Sequence, residues 1–200
     1  MNGAFDWERF WIKRGREYYP TSKGYLPDPE NDPLGINAHL VKLPGLEHIQ
    51  CLIMLGEPGM GKSCAMVNEE KALKTELNGT NHIVKRFDLR SYSTSQEITQ
   101  EIFDNDEINA WKNEDGSLYL LLDSLDECHL KIGNLTLFLE RKIAKLPRER
   151  LFLRIACRTG DWPGRFEESL RELFNHEEEK VEAYELAPLR GKDVDTAAKA

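Results

Sequence analysis

The chain has 200 residues, 40% hydrophobic and 31% charged, with a formal net charge of -8. This is an ordinary soluble composition, long enough for one α/β domain with a buried core. The acidic balance argues against broad nucleic-acid binding, which needs a basic face, although Lys13, Arg14 and Arg16 cluster near the start.

Residues 1–18 read as a short amphipathic helix with Phe5, Trp7, Phe10 and Trp11 as its apolar residues. This opening carries acids and bulky aromatics and lacks a signal-peptide core. Residues 19–45 are rich in Pro, Gly and Asp and read as an irregular connector. Tyr18, Tyr19 and Tyr25 could stack on a base, but are expected to pack this connector onto a core that begins near His48. "QCLIML" (50–55) is a continuous apolar run, as in a strand buried on both faces. A helix is predicted over 62–77 and a second strand over 82–90. "STSQEITQEIFDN" opens with a Ser/Thr cap, but Ser95 is followed three residues later by Ile98, so no full capping box is expected.

A third strand follows at 117–123, then a helix over 135–146 that Pro147 stops, and a fourth strand at 150–157. A helix over 164–175 and a fifth strand over 180–186 complete the alternation. The acidic stretch "EESLRELFNHEEEK" reads as a solvated face, with His176 too isolated for a metal ligand. Regular βα alternation implies a parallel sheet with right-handed crossovers and helices on both faces. The last residues, "APLRGKDVDTAAKA", look like the start of a further helix, as if the chain were part of a longer protein. The expected division is an N-terminal extension (1–45), a core (46–190) and the beginning of a helical lid (191–200).

Cys51, Cys64, Cys128 and Cys157 show no CxxC spacing and no companion histidine pair for zinc. They read as reduced thiols of a cytoplasmic protein, with Cys51 and Cys157 as small core residues. No apolar run is long enough to span a bilayer.

Gly56-Glu57-Pro58-Gly59-Met60-Gly61-Lys62-Ser63-Cys64 contains G-x-x-x-x-G-K-[ST] without a mismatch. It lies between a buried-strand pattern and a helix, the context the motif requires. Gly59 and Gly61 free the loop to adopt dihedrals that a Cβ disfavours. Its backbone N–H groups can then form an anion nest at the positive end of the next helix. Lys62 would reach the β- and γ-phosphates, and Ser63 would offer its hydroxyl to Mg²⁺.

A metal-bound phosphate needs a carboxylate nearby. In "LYLLLDSLDE" four residues from Tyr119 to Leu122 run into Asp123 at a strand's carboxyl end, where open α/β sheets bind ligands. Asp123 is the expected Mg²⁺ carboxylate. Asp126 or Glu127 could orient or deprotonate an attacking water. In "CRTGDW", Arg158 or Thr159 could sense a γ-phosphate. Arg154 shares a strand face with Arg158 and, if buried, needs an acidic partner that the sequence does not name.

"GEPGMGKS", "LYLLLDSLDE" and "IACRT", in that order, resemble the NACHT branch of the STAND NTPases, signalling ATPases related to AAA+ proteins. The Asp123-Ser124-Leu125-Asp126-Glu127 segment is the most specific element, and "YELAPLRGKDV" is similar to the family's strand leading into its lid. The likeness covers about residues 48–195 and leaves out 1–45. It implies a three-layer α/β/α P-loop NTPase fold with a five-stranded parallel sheet of order 5-1-4-3-2. It also implies an ATP/ADP switch with Mg²⁺, in which Lys62, Ser63, Asp123, Glu127 and Arg158 match the functional positions. Such proteins work with lid, winged-helix and sensor regions, expected to be missing from this sequence apart from the lid's first residues, form homo-oligomers with ATP, and serve signalling or anti-phage and innate defence. The competing readings are an AAA+-type motor and a non-hydrolysing scaffold with nucleotide as a structural ligand.

Overall fold

The computed structural model describes residues 7–175 and 179–199. Phe5 and His176 lie outside the described residues. Five strands form where the sequence predicts them: β2 (Cys51–Leu55), β3 (Ile83–Asp88), β4 (Leu118–Asp123), β5 (Leu151–Cys157) and β6 (Val181–Leu186). All five are parallel and stand in the order β6-β2-β5-β4-β3, the expected 5-1-4-3-2. A sixth strand, β1 (Trp11–Lys13), pairs antiparallel with the outer edge of β6. The sheet is therefore mixed and mostly parallel.

β1 replaces the helix expected over residues 1–18: the described part forms this strand and a turn at Arg14–Gly15, with no helix. The reason is tertiary. β6 would otherwise end the sheet with unpaired backbone groups, and the N-terminal segment satisfies them. The Ala187 amide donates to the Phe10 carbonyl at 2.9 Å and the Arg14 amide to the Ala183 carbonyl at 2.8 Å. Trp11 in turn exchanges backbone hydrogen bonds with Val41. Side chains then alternate: Trp11 joins the core beneath helix α1 (Lys62–Glu76), while Phe10 and Ile12 pack with Leu26, Leu40 and Ala187. Residues 19–45 are thus fastened to the sheet edge, although Tyr19, expected to pack, is exposed.

The sheet separates two apolar layers. Leu52, Met54, Leu121 and Ala156 face α1 with Ala65 and Met66. Ile53, Leu55, Leu120, Leu122 and Ile155 face the opposite layer, with Leu139 of α5 (Leu135–Ile143) and Phe166 and Leu170 of α6 (Gly164–Leu173). Cys51 and Cys157 are fully buried there. Because the five strands are parallel, Leu55, Asp123 and Cys157 end at one rim, and the site is built there.

Between β3 and β4 the chain departs from expectation. The N-cap of α2 (Ser95–Ile98) is Thr94, one residue earlier than Ser95, and a full capping box forms with Glu97. The Glu97 amide donates to the Thr94 hydroxyl at 3.2 Å, and the Thr94 amide to the Glu97 carboxylate at 3.3 Å. The helix then widens into a π turn over Thr99–Phe103, and a separate helix, α3 (Asp106–Trp111), starts from an Asn105 cap.

Two charged features also resolve. Lys13 and Arg14 do not make a bare basic patch: they pair with Glu182 at 2.8 Å and Glu167 at 2.7 Å. Glu167 is itself buried and accepts from the Trp162 indole, so the acidic helix is not wholly solvated. Arg154 is 1% exposed, and its nearest acid is Glu69 of α1, with Nε 3.7 Å from Oε1. It also donates to the carbonyls of Ile49 at 2.7 Å and Glu47 at 3.4 Å. Burial raises the Glu69 pKa and lowers that of Arg154, so desolvation outweighs mutual attraction at this distance. Truncating one partner leaves the other charge buried and unpaired. Glu69→Ala is therefore expected to destabilise the fold by about 3–5 kcal/mol in urea unfolding, and Glu69→Leu with Arg154→Met to cost less than that single change.

Candidate functional site

The loop after β2 turns sharply into α1. Gly59 and Gly61 have φ of 77° and 99°, in the left-handed region where a Cβ is strained. Gly61 is also the N-cap of α1, and a Cβ there would lie 3.0 Å from Nη1 of Arg9. A glycine cap supplies no side-chain oxygen, so the positive end of this 15-residue helix stays available to an anion. Lys62 folds back along the loop. Its Nζ donates to the carbonyl of Gly56, and to that of Glu57 at 3.2 Å. Partial burial lowers its pKa, against the opposing pull of Asp126.

β4 delivers Asp123 to the same rim, paired in register with Asp88 of β3. Asp123 is 2% exposed, and its Oδ2 is buried without a hydrogen-bond partner among the described residues. A buried carboxylate oxygen in that state is costly unless a cation or its water shell answers it. The donor set suits magnesium. No group of three or more His, Cys, Asp or Glu residues is placed to hold a metal ion by itself among the described residues. Magnesium is commonly held by one or two carboxylates plus substrate phosphates, and here Asp123 and the Ser63 hydroxyl line one cavity.

Ser124 takes a left-handed backbone, φ 61° and ψ 45°, an uncommon state for a residue with a Cβ. It turns the chain from β4 directly into α4 (Leu125–His129), and so brings Asp126 and Glu127 to the rim. The two acids are not equivalent. Asp126 is buried and committed: its Oδ1 accepts from the Arg158 amide at 3.2 Å and its Oδ2 lies 2.8 Å from Arg158 Nε. Glu127 is more exposed and stands 3.8 Å from Arg158 Nη2. The strand-end pattern alone left Asp126 and Glu127 interchangeable, and only the family resemblance singled out Glu127.

Lys62, Ser63, Asp123, Asp126, Glu127 and Arg158 line a cavity of about 290 Å³, together with Pro58, Gly59, Gly61 and Cys64. Gly56, Glu57 and Met60 do not line it: the first two anchor Lys62 through their carbonyls, and Met60 lines a neighbouring cavity. Thr159, the alternative to Arg158, is also absent from its walls.

Two arginines escaped the sequence reading. Arg90, just beyond β3, lines the cavity while bound to Asp88, with Nε 3.0 Å from each carboxylate oxygen. That contact holds the Asp88 pKa below its ordinary value. Arg9 reaches the phosphate loop from outside the sheet, donating to the carbonyl of Met60, and to that of Ala187 at 2.8 Å. The only sequence trace of Arg90 is a cation two residues past a strand-end acid, and Arg9 has no trace. A second cavity of about 590 Å³ adjoins the loop beside Arg9, with Trp7, Tyr25, Met60, Pro188, Leu189 and Val194 in its walls.

This is a P-loop-like α/β fold. No family model matches the chain, and no curated protein does. Among solved structures, PCH-2 of C. elegans is similar with a TM-score of 0.40 and 16% identity, over 72% of this chain and 37% of that one. The chain thus spans little more than a third of that structure, and so distant a likeness carries no weight for function. Among the described residues, no helix is long and apolar enough to cross a membrane.

Proposed function

We propose that this chain is the nucleotide-binding core of a NACHT-like STAND protein, which binds ATP with magnesium and hydrolyses it slowly as a regulatory switch. The observation that carries the reading is the orphaned Oδ2 of Asp123, in the wall of the same cavity as Lys62 and the uncapped start of α1. A buried acceptor, a lysine and a helix N-terminus converging on one space match a cation-bound polyphosphate.

The loop N–H groups and Lys62 would hold the β- and γ-phosphates, with Ser63 and Asp123 as magnesium ligands, directly or through water. Bound magnesium would neutralise developing charge on the phosphates and fix their geometry. Glu127, the less committed acid, would orient the attacking water and accept its proton. Asp126 would act as a positioning residue by fixing Arg158. Arg158 would distinguish ATP from ADP, because a γ-phosphate competes with Asp126 for its guanidinium and a diphosphate does not. The larger cavity, walled largely by apolar side chains, would receive the base. Lid, winged-helix and sensor regions, and homo-oligomerisation with ATP, belong to this reading as expected partners of the switch.

Calorimetry of the chain with ATP, with and without magnesium, tests the binding, and phosphate release tests the chemistry. Magnesium-dependent uptake with slow phosphate release is the expected result. Lack of magnesium-dependent uptake would overturn the proposal.

A further inference from the structure

Beside the loop after β2 and the start of α1, the larger cavity has two walls from opposite ends of the chain. Trp7, Arg9 and Tyr25 come from the N-terminal segment, and Pro188, Leu189 and Val194 from the segment after β6. The amide of Leu26 bonds the Leu189 carbonyl at 3.0 Å, but one side chain does most of the joining. Arg190 is 5% exposed and sits between Leu189 and α7 (Gly191–Lys199). One edge of its guanidinium grips Asp193, with Nε 2.7 Å and Nη2 2.9 Å from the two carboxylate oxygens. Its Nη1 lies 2.7 Å from Glu8 and 3.3 Å from Asp28 across the divide. The ring of Phe10 lies 5.2 Å from the guanidinium carbon.

The surrounding charges reinforce the crossing. Lys42 bridges Glu8 and Glu30, and Lys192 pairs with Asp28. Glu8 lies between Trp7 and Arg9 in sequence, and Asp193 immediately precedes Val194, so each ion pair is one residue from a cavity wall. A planar guanidinium can grip one carboxylate with two bonds along one edge and still hold others on its far edge, a fixed geometry that a point-like ammonium does not reproduce. Removing it would leave several carboxylates facing one another, a repulsive arrangement that drives the walls apart.

We propose that Arg190 is a positioning residue that latches the two walls over a bound nucleotide and sets how fast the nucleotide leaves. The proposal rests on the reading of this cavity as the base site.

Stopped-flow release of magnesium-ADP bearing a fluorescent group on its ribose tests it on the whole chain. Arg190→Gln is expected to release the probe at least about tenfold faster, with association changed far less, because contacts of this kind act mainly on dissociation. Arg190→Lys should fall between it and the parent. Glu8→Gln removes one arm at a half-exposed position, keeps the fold, and should also speed release. A merely structural role would lower the melting temperature and leave release from folded protein unchanged. Parental release rates in Glu8→Gln and in folded Arg190→Gln would overturn the latch. A parent chain that takes up no magnesium-ADP would instead overturn the nucleotide site itself, and the latch with it.

Discussion

Lys62→Ala is expected to weaken magnesium-ATP binding at least about hundredfold, equivalent to roughly 2.7 kcal/mol. Lys62 is the loop's cation in the 290 Å³ cavity and is already partly buried. Its ammonium therefore loses less hydration when it meets a phosphate than a fully exposed lysine would. Its two bonds to the carbonyls of Gly56 and Glu57 show that it is held along the loop before any ligand arrives. Glu57 is exposed, so water can replace the ammonium at its carbonyl, whereas buried Gly56 loses a partner and the melting temperature should fall modestly. Isothermal titration calorimetry with parallel thermal melts separates the two effects. Parental affinity in a folded Lys62→Ala chain would remove this lysine from phosphate binding.

Glu127→Gln is expected to leave ATP binding near the parental level while lowering phosphate release by about 10²–10⁴-fold, the usual contribution of a positioned general base. The amide keeps the size of the carboxylate and cannot accept the proton of the attacking water. Asp126→Asn should behave differently. Its carboxylate holds Arg158 through both the backbone amide and Nε, so its loss loosens Arg158 and should blur the discrimination between ATP and ADP. Phosphate release under saturating ATP, with ATP and ADP affinities for each variant, distinguishes the roles. Unchanged turnover in Glu127→Gln would assign the base elsewhere.

The three middle strands were legible because they are buried on both faces and read as largely apolar runs, as "CLIML" does, and the flanking β3 and β6 followed from the regular alternation of strand and helix. The meeting of the glycine loop and Asp123 at one rim was legible because each is a short segment whose position at a strand end follows from the pattern alone. β1 was not. Trp-Ile-Lys has no signature that separates three strand residues from an amphipathic helix, and the vacant edge of β6 decided the matter. The capping box was misread because Thr94 and Ser95 are adjacent candidates and only Thr94 has Glu97 at the required spacing. Arg9 lies 51 residues from Met60 and 178 from Ala187, so only the fold brings them together. The partner of Arg154 was hidden likewise: Glu69 looks like any acid on a polar helix until α1 packs on the sheet.

β1 is only three residues long, yet it covers the flank of β6 that faces away from β2. At the far flank, β3 presents Lys85 and Arg86, and charge there discourages a stray strand from adding on. β6 has the alternation Val-Glu-Ala-Tyr-Glu-Leu and a largely buried surface, a poorer deterrent. Trimming the chain to the apparent start of the core, near His48, would therefore bare a sticky margin and invite two molecules to pair edge to edge through β6. The residues that look dispensable in the sequence are what keep neighbouring molecules from zipping together.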